Sequence, residues 1–127
     1  MANIDMTIGA ARVFVWDLDA AKRFYAEALG LSMKADGSAH GYCVFRAAID
    51  LVVEAVAPDA PAEERALVGR FTGLSFAVAD AQAAYEALAA VGVAFSGPPE
   101  RQAWGGVLAT FSDPSGNELQ IVQAPVA

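Results

Sequence analysis

ARVFVWD (residues 11 to 17) and LSFAVAD (residues 74 to 80) are two apolar, strand-like runs that each end on an aspartate, with Asp17 and Asp80 lying 63 positions apart. The segments after the two aspartates repeat as well. LDAAKRFYAEALG sets Ala20, Ala21, Phe24, Tyr25, Ala28 and Leu29 at helical spacing, behind a carboxylate suited to cap free N–H groups, and Gly30 stops the helix. AQAAYEALAAVG does the same with Ala84, Ala87, Leu88 and Val91, ending at Gly92. Three short strands are expected after each helix, over 31 to 35, 40 to 46 and 49 to 56, then over 93 to 96, 105 to 112 and 117 to 124. Both halves therefore read β-α-β-β-β, an α+β chain of two tandem modules.

The expected organisation is one domain over 1 to 127, with module one at 7 to 57, a linker at 58 to 70 and module two at 71 to 124. The linker is rich in Pro, Ala and acid, and its AEERALV stretch has the composition of a short helical turn. DPSG, Asp113 to Gly116, carries Asp, Pro and Gly in the order a type I turn prefers.

Composition narrows the function classes. With 56% hydrophobic and 18% charged residues the chain has enough apolar material for one core without disulfides. Cys43 is the only cysteine, so an intrachain disulfide and a multi-cysteine zinc site are both excluded, and a reducing, cytoplasmic setting is expected. No apolar run is long enough to suggest a membrane span, and a net charge of −7 with scattered Lys and Arg would repel a phosphate backbone. Phosphate-binding loops, dinucleotide glycine fingerprints and a serine nucleophile elbow are missing from the sequence.

The duplicated unit, the helix text FYAEALGL and the closing DPSGNELQIVQ resemble the glyoxalase/bleomycin resistance/dioxygenase group, the vicinal oxygen chelate superfamily, over nearly the whole chain. The resemblance implies a curved sheet around a cup-shaped pocket, often completed by a second chain, and in the family's enzymes a divalent metal at the cup floor. It also implies where the ligands to that metal would stand: seven residues before Asp17 and Asp80, and in the last strand of each module. Those positions hold Ala10, Gly73, Val52 and Gln120. Together they offer one neutral amide oxygen, against the three or four donors such an ion needs, so no metal cofactor is expected. His40, beside a glycine-containing loop, reads as an exposed residue rather than a ligand, and Cys43, inside YCVF, as a small buried hydrophobe.

Strand parity points Leu74, Phe76 and Val78 to the core, leaving Gly73, Ser75 and Ala77, and in the first strand Ala10, Arg12, Phe14 and Trp16, toward the cup. The candidate ligand-binding residues are Arg12, Phe14, Trp16, Glu54, Trp104 and Gln120. Arg12 offers a planar fork for a carboxylate, phosphate or carbonyl, or else pairs with Glu54. Phe14 and Trp16 offer stacking surface, or else core or dimer packing. Trp104, flanked by glycines, suits a pocket lid or a cap on the core. Gln120 can orient a ligand and cannot act as a strong base. Glu54 is the one acid/base candidate, its pKa raised by burial or lowered by Arg12.

Two functions are compatible with these residues. One is metal-free binding of a small organic molecule in the cup, as in the drug-sequestering branch, by a homodimer. The other is a lyase, isomerase or dioxygenase that uses relocated metal ligands or Glu54.

Overall fold

The computed structural model describes residues 1 to 126. Module one is built from β1 (Ala10–Val15), α1 (Leu18–Arg23) continuing into a π turn (Phe24–Ala28), β2 (Ser32–Gly37), β3 (Tyr42–Ala47) and β4 (Ile49–Ala55). A short helix α2 (Ala62–Arg65) occupies the linker. Module two continues with β5 (Phe71–Ala77), α3 (Ala81–Ala90), β6 (Ala94–Phe95), β7 (Glu100–Arg101), β8 (Val107–Ser112) and β9 (Glu118–Gln123). The sheets run β1-β4-β3-β2 and β5-β9-β8-β6, with β7 also on β8, so each module pairs its first strand parallel to its last.

The repeated local signals do what their chemistry requires. Asp17 accepts from the Ala20 N–H at 3.0 Å and Asp80 from the Ala83 N–H at 3.1 Å, each giving an acceptor to an otherwise orphaned donor at a helix start. Gly30 and Gly92 close the helices with φ of 72° and 94°, a region open to glycine. β1 stops two residues earlier than the apolar run implies, because Asp17 is used as the cap. β5 begins earlier than expected, at Phe71, and β7 is an additional short strand where the sequence reads as loop.

Parity holds. Val13, Val15, Leu51, Val53, Leu119 and Ile121 are buried, with Leu74, Phe76 and Val78 packed against the same cluster. Each such side chain contributes about 1.5–3 kcal/mol when fully removed from water. The core is shared, since Phe24 and Tyr25 of module one and Phe76 and Phe95 of module two meet around Phe45 and Phe111, with ring centroids 5.1 to 6.3 Å apart along the chain of contacts.

The type I turn also joins the modules. Gly116 N–H donates to the Asp113 carbonyl at 3.0 Å, closing it. Buried Asp113 then accepts from the Ser115 and Asn117 N–H groups with Oδ1, and from Tyr25 Oη at 2.8 Å and Asn117 Nδ2 at 3.0 Å with Oδ2. Asn117 sends its other amide hydrogen to the Phe14 carbonyl at 2.7 Å and takes the Gly69 N–H at 2.9 Å, while Ser115 Oγ takes the Trp16 N–H at 2.9 Å. The turn thereby fixes the end of β1 and the linker to module two. No buried side-chain polar atom lacks a partner among the described residues.

Candidate ligand-binding site

The face of each sheet away from the helices presents rows of side chains. In module one, Arg12 lies level with Val52, Val52 with Val44 and Val44 with Ala35. In module two, Ser75 lies level with Gln120 and Gln120 with Thr110, and the Ser96 N–H bonds the Thr110 carbonyl at 3.0 Å. These are equivalent rows of one duplicated unit. A second row in module one runs Phe14, Glu54, Tyr42 and Gly37.

On module one the Arg12 guanidinium sits 5.0 Å from the Phe14 ring centroid and pairs with Glu54, Nη2 lying 2.9 Å from each carboxylate oxygen. Both readings of Arg12 are thus compatible with the geometry, because Nη2 alone is engaged; Nη1 and Nε have no protein acceptor among the described residues. The side chains are 57% and 36% exposed, so the pair contributes only about 0–1 kcal/mol to folding. Asp50, on the same face two residues before Val52, is held by Lys34 Nζ at 2.9 and 3.0 Å. Sequence reasoning misses Asp50 and Tyr42, although the period of two from Glu54 and Val44 marks them as cup-facing.

On module two, Gln120 Nε2 donates to Thr110 Oγ1 at 3.1 Å, and Ser75 Oγ lies 3.5 Å from Gln120 Oε1. Gln120 lines a cavity of about 280 Å³ together with Ser96, Glu100, Gln102, Leu108 and Thr110.

The remaining sequence candidates are more scattered. Trp16 comes directly after β1 at the module junction and is 43% exposed. Trp104, 54% exposed, stands at the tip of the β7–β8 hairpin, which is closed by Gln102 N–H to the Gly106 carbonyl at 2.8 Å; its ring folds over Gly106, in space a side chain there would occupy. The structure therefore brings Arg12, Phe14 and Glu54 together and places Gln120 in a separate cavity with different neighbours. His40 is exposed after β2. Cys43 is buried, and burial pushes its thiol up, with Ser38 and Asp36 nearby.

At the four metal positions the register adds a detail. Ala10 lies level with Asp50 rather than Val52, and Gly73, at φ 74°, falls in an irregular stretch of β5, leaving Ser75 opposite Gln120. Ala10, Gly73 and Val52 have no donor side-chain atom, and Gln120 supplies one amide. This set does not fit the coordination shell of a divalent ion. Among the described residues no three of His, Cys, Asp and Glu converge elsewhere, and no helix is long and apolar enough to cross a membrane.

Solved structures share this architecture. The chain is 28% identical to a glyoxalase/bleomycin resistance protein/dioxygenase superfamily member from Sphaerobacter thermophilus, with a TM-score of 0.77 over 94% of this chain and 98% of that one. It is 30% identical to TnmS3, an antibiotic binding protein from a Streptomyces species, with a TM-score of 0.72 over 99% and 100%. A lactoylglutathione lyase from Agrobacterium tumefaciens, 19% identical with a TM-score of 0.75 over 94% and 95%, shares the fold. A comparison with curated proteins finds no match. The family model for the Glyoxalase/Bleomycin resistance protein/Dioxygenase superfamily matches residues 7 to 121, and the chain belongs to that superfamily.

Proposed function

We propose that this protein binds a small, partly flat organic molecule against the concave faces of its sheets, and does so without a resident divalent metal. The observation that carries this reading is the Arg12 guanidinium, stacked over Phe14 and tied to Glu54 through Nη2 alone. A ring laid beside Phe14 and Tyr42 gains stacking area, and a ligand carbonyl or carboxylate meets the fork left by Nη1 and Nε. The donor-poor cup floor and the likeness to an antibiotic binding protein point the same way. Glu54, with both oxygens at Nη2, serves here as the counter-ion that orients Arg12.

A second chain completes the cup in this reading. Ile4, Met6, Ile8 and Phe71 are exposed apolar side chains that association would cover. A melting-temperature screen of flat aromatic acids and ketones tests the binding reading. Hits should raise the melting temperature with Arg12 intact and lose that effect in Arg12→Ala; a complete absence of hits overturns it. Sedimentation at micromolar concentration should give a dimer, and a monomer there refutes the completed cup.

A further inference from the structure

The two modules repeat one unit, yet their equivalent rows differ in chemistry. Module one fills the row with Arg12, Val52, Val44 and Ala35, and module two with Ser75, Gln120, Thr110 and Ser96. Module one folds with aliphatic residues at the positions equivalent to Gln120, Thr110 and Ser96, so the hydrogen-bonding side chains there are not a requirement of this unit. The inventory of the module-two row is only partly spent: Ser75 Oγ donates to Gln120 Oε1 at 3.5 Å and Ser96 Oγ to the Thr110 carbonyl at 3.4 Å, and other groups remain. Gln120 gives one amide hydrogen to Thr110 and keeps the other, and Thr110, having accepted, still has its hydroxyl hydrogen to donate. Gln102 gives one amide hydrogen to the Glu100 carbonyl at 2.9 Å, leaving its Oε1 free, and the Glu100 carboxylate forms no ion pair among the described residues.

We infer that this row and Glu100 form a subsite for a hydroxyl-rich, sugar-like ring of the ligand, with the carboxylate accepting two adjacent hydroxyls. The cavity mixes donors with acceptors, so its occupant must do both, as a hydroxyl does and a ketone or ether does not. No Lys, Arg or His lines it, and Glu100 repels an acid. Its volume of about 280 Å³ falls just under the roughly 300–1,000 Å³ of pockets that hold whole drug-sized ligands, which leaves room for one ring-sized group. The inference rests on the proposed function and sharpens it: a flat part of the ligand on module one, a polyol part on module two.

The test is an amide-shift titration of the dimer or monomer as purified, with methyl glucoside as probe and cyclohexanemethanol, a ring with one hydroxyl, as control. The glucoside should shift the Glu100, Thr110 and Gln120 amides saturably, at least tenfold more tightly than the control, and Glu100→Gln and Thr110→Val should each weaken it about tenfold while leaving the remaining amide spectrum native. Equal affinity for the two probes, shifts confined to the Arg12 face, or no saturable shift overturns the subsite. If flat acids still bind through Arg12 while the glucoside fails, the subsite alone falls; if both fail, the proposed function falls with it.

Discussion

The Tyr25 hydroxyl donates to Asp113 at 2.8 Å inside the shared core, joining a helix of module one to the turn between the last two strands of module two. Removing the hydroxyl with Tyr25→Phe leaves a buried carboxylate oxygen short of one donor and should cost about 1–3 kcal/mol. Asp113→Ala should cost more, because four donors lose their acceptor together. Urea unfolding of the two variants checks the order; Tyr25→Phe at wild-type stability would deny the contact a role in holding the modules.

The same phenol predicts an alkaline limit. Burial, and then the charge and hydrogen bond of Asp113, hold Tyr25 far above the ordinary tyrosine value, so the folded state resists ionisation that the unfolded chain accepts. This contribution is full below pH about 10 and declines as the pH rises past it. Tyr25→Phe should flatten that part of the stability curve, and an unchanged slope above pH about 10 would contradict the assignment.

On the acid side, Asp36 is held below the usual carboxylate range by the Ser38 hydroxyl, then by the hydrogen bond from Lys22. A lowered folded value contributes its full stability above the unfolded value of about 3.9, and that contribution declines as the pH falls from there through the lower folded value. Asp36→Asn should therefore melt earlier than wild type near pH 6, and the gap should start to narrow below about pH 4 and keep narrowing as the pH falls further. A constant gap across that range would show that the charge is not involved.

Ala48 joins β3 to β4 with φ of 68°, the one non-glycine in the left-handed region among the described residues. Ala48→Gly removes a Cβ penalty of about 1–2 kcal/mol but adds unfolded-chain freedom of up to about 1 kcal/mol. A net gain of roughly 1 kcal/mol is expected by chemical denaturation, and a loss would mean that the hairpin does not strain its alanine.

Much of this fold is legible in the sequence because its signals are local. Asp17, Asp80, Gly30, Gly92 and the DPSG turn each act through a backbone group within a few residues, and the period of two sorts Val13 and Val53 from Arg12 and Glu54 without knowledge of the partner strands. The candidate site is legible only in part. Arg12 and Glu54 are 42 positions apart, and parity places them on one face but does not say which guanidinium nitrogen is spent. Asp50, Tyr42 and the cavity around Glu100 depend on which strands become neighbours, and Trp104 on how a hairpin tip folds back over Gly106. Those outcomes are set by tertiary pairing, which no short window of sequence contains.

Arg12 and Glu54 should respond in opposite directions to substitution. Arg12→Ala removes the charged fork and should weaken an acidic ligand about 10- to 100-fold, from the roughly 1.5–3 kcal/mol of a charge-assisted hydrogen bond. Glu54→Gln keeps an acceptor for Nη2 but removes the negative charge beside the fork, and should tighten the same ligand. Titration calorimetry on both variants separates this from a catalytic role for Glu54, in which Glu54→Gln would abolish turnover without improving affinity.

The most direct measurement is calorimetric titration of a screened flat acid into chelator-treated protein, repeated with zinc, nickel, manganese or ferrous ion restored. The affinity should be the same within error in every case, since stacking and Arg12 provide the recognition. Binding that appears only when a divalent ion is returned would contradict the account.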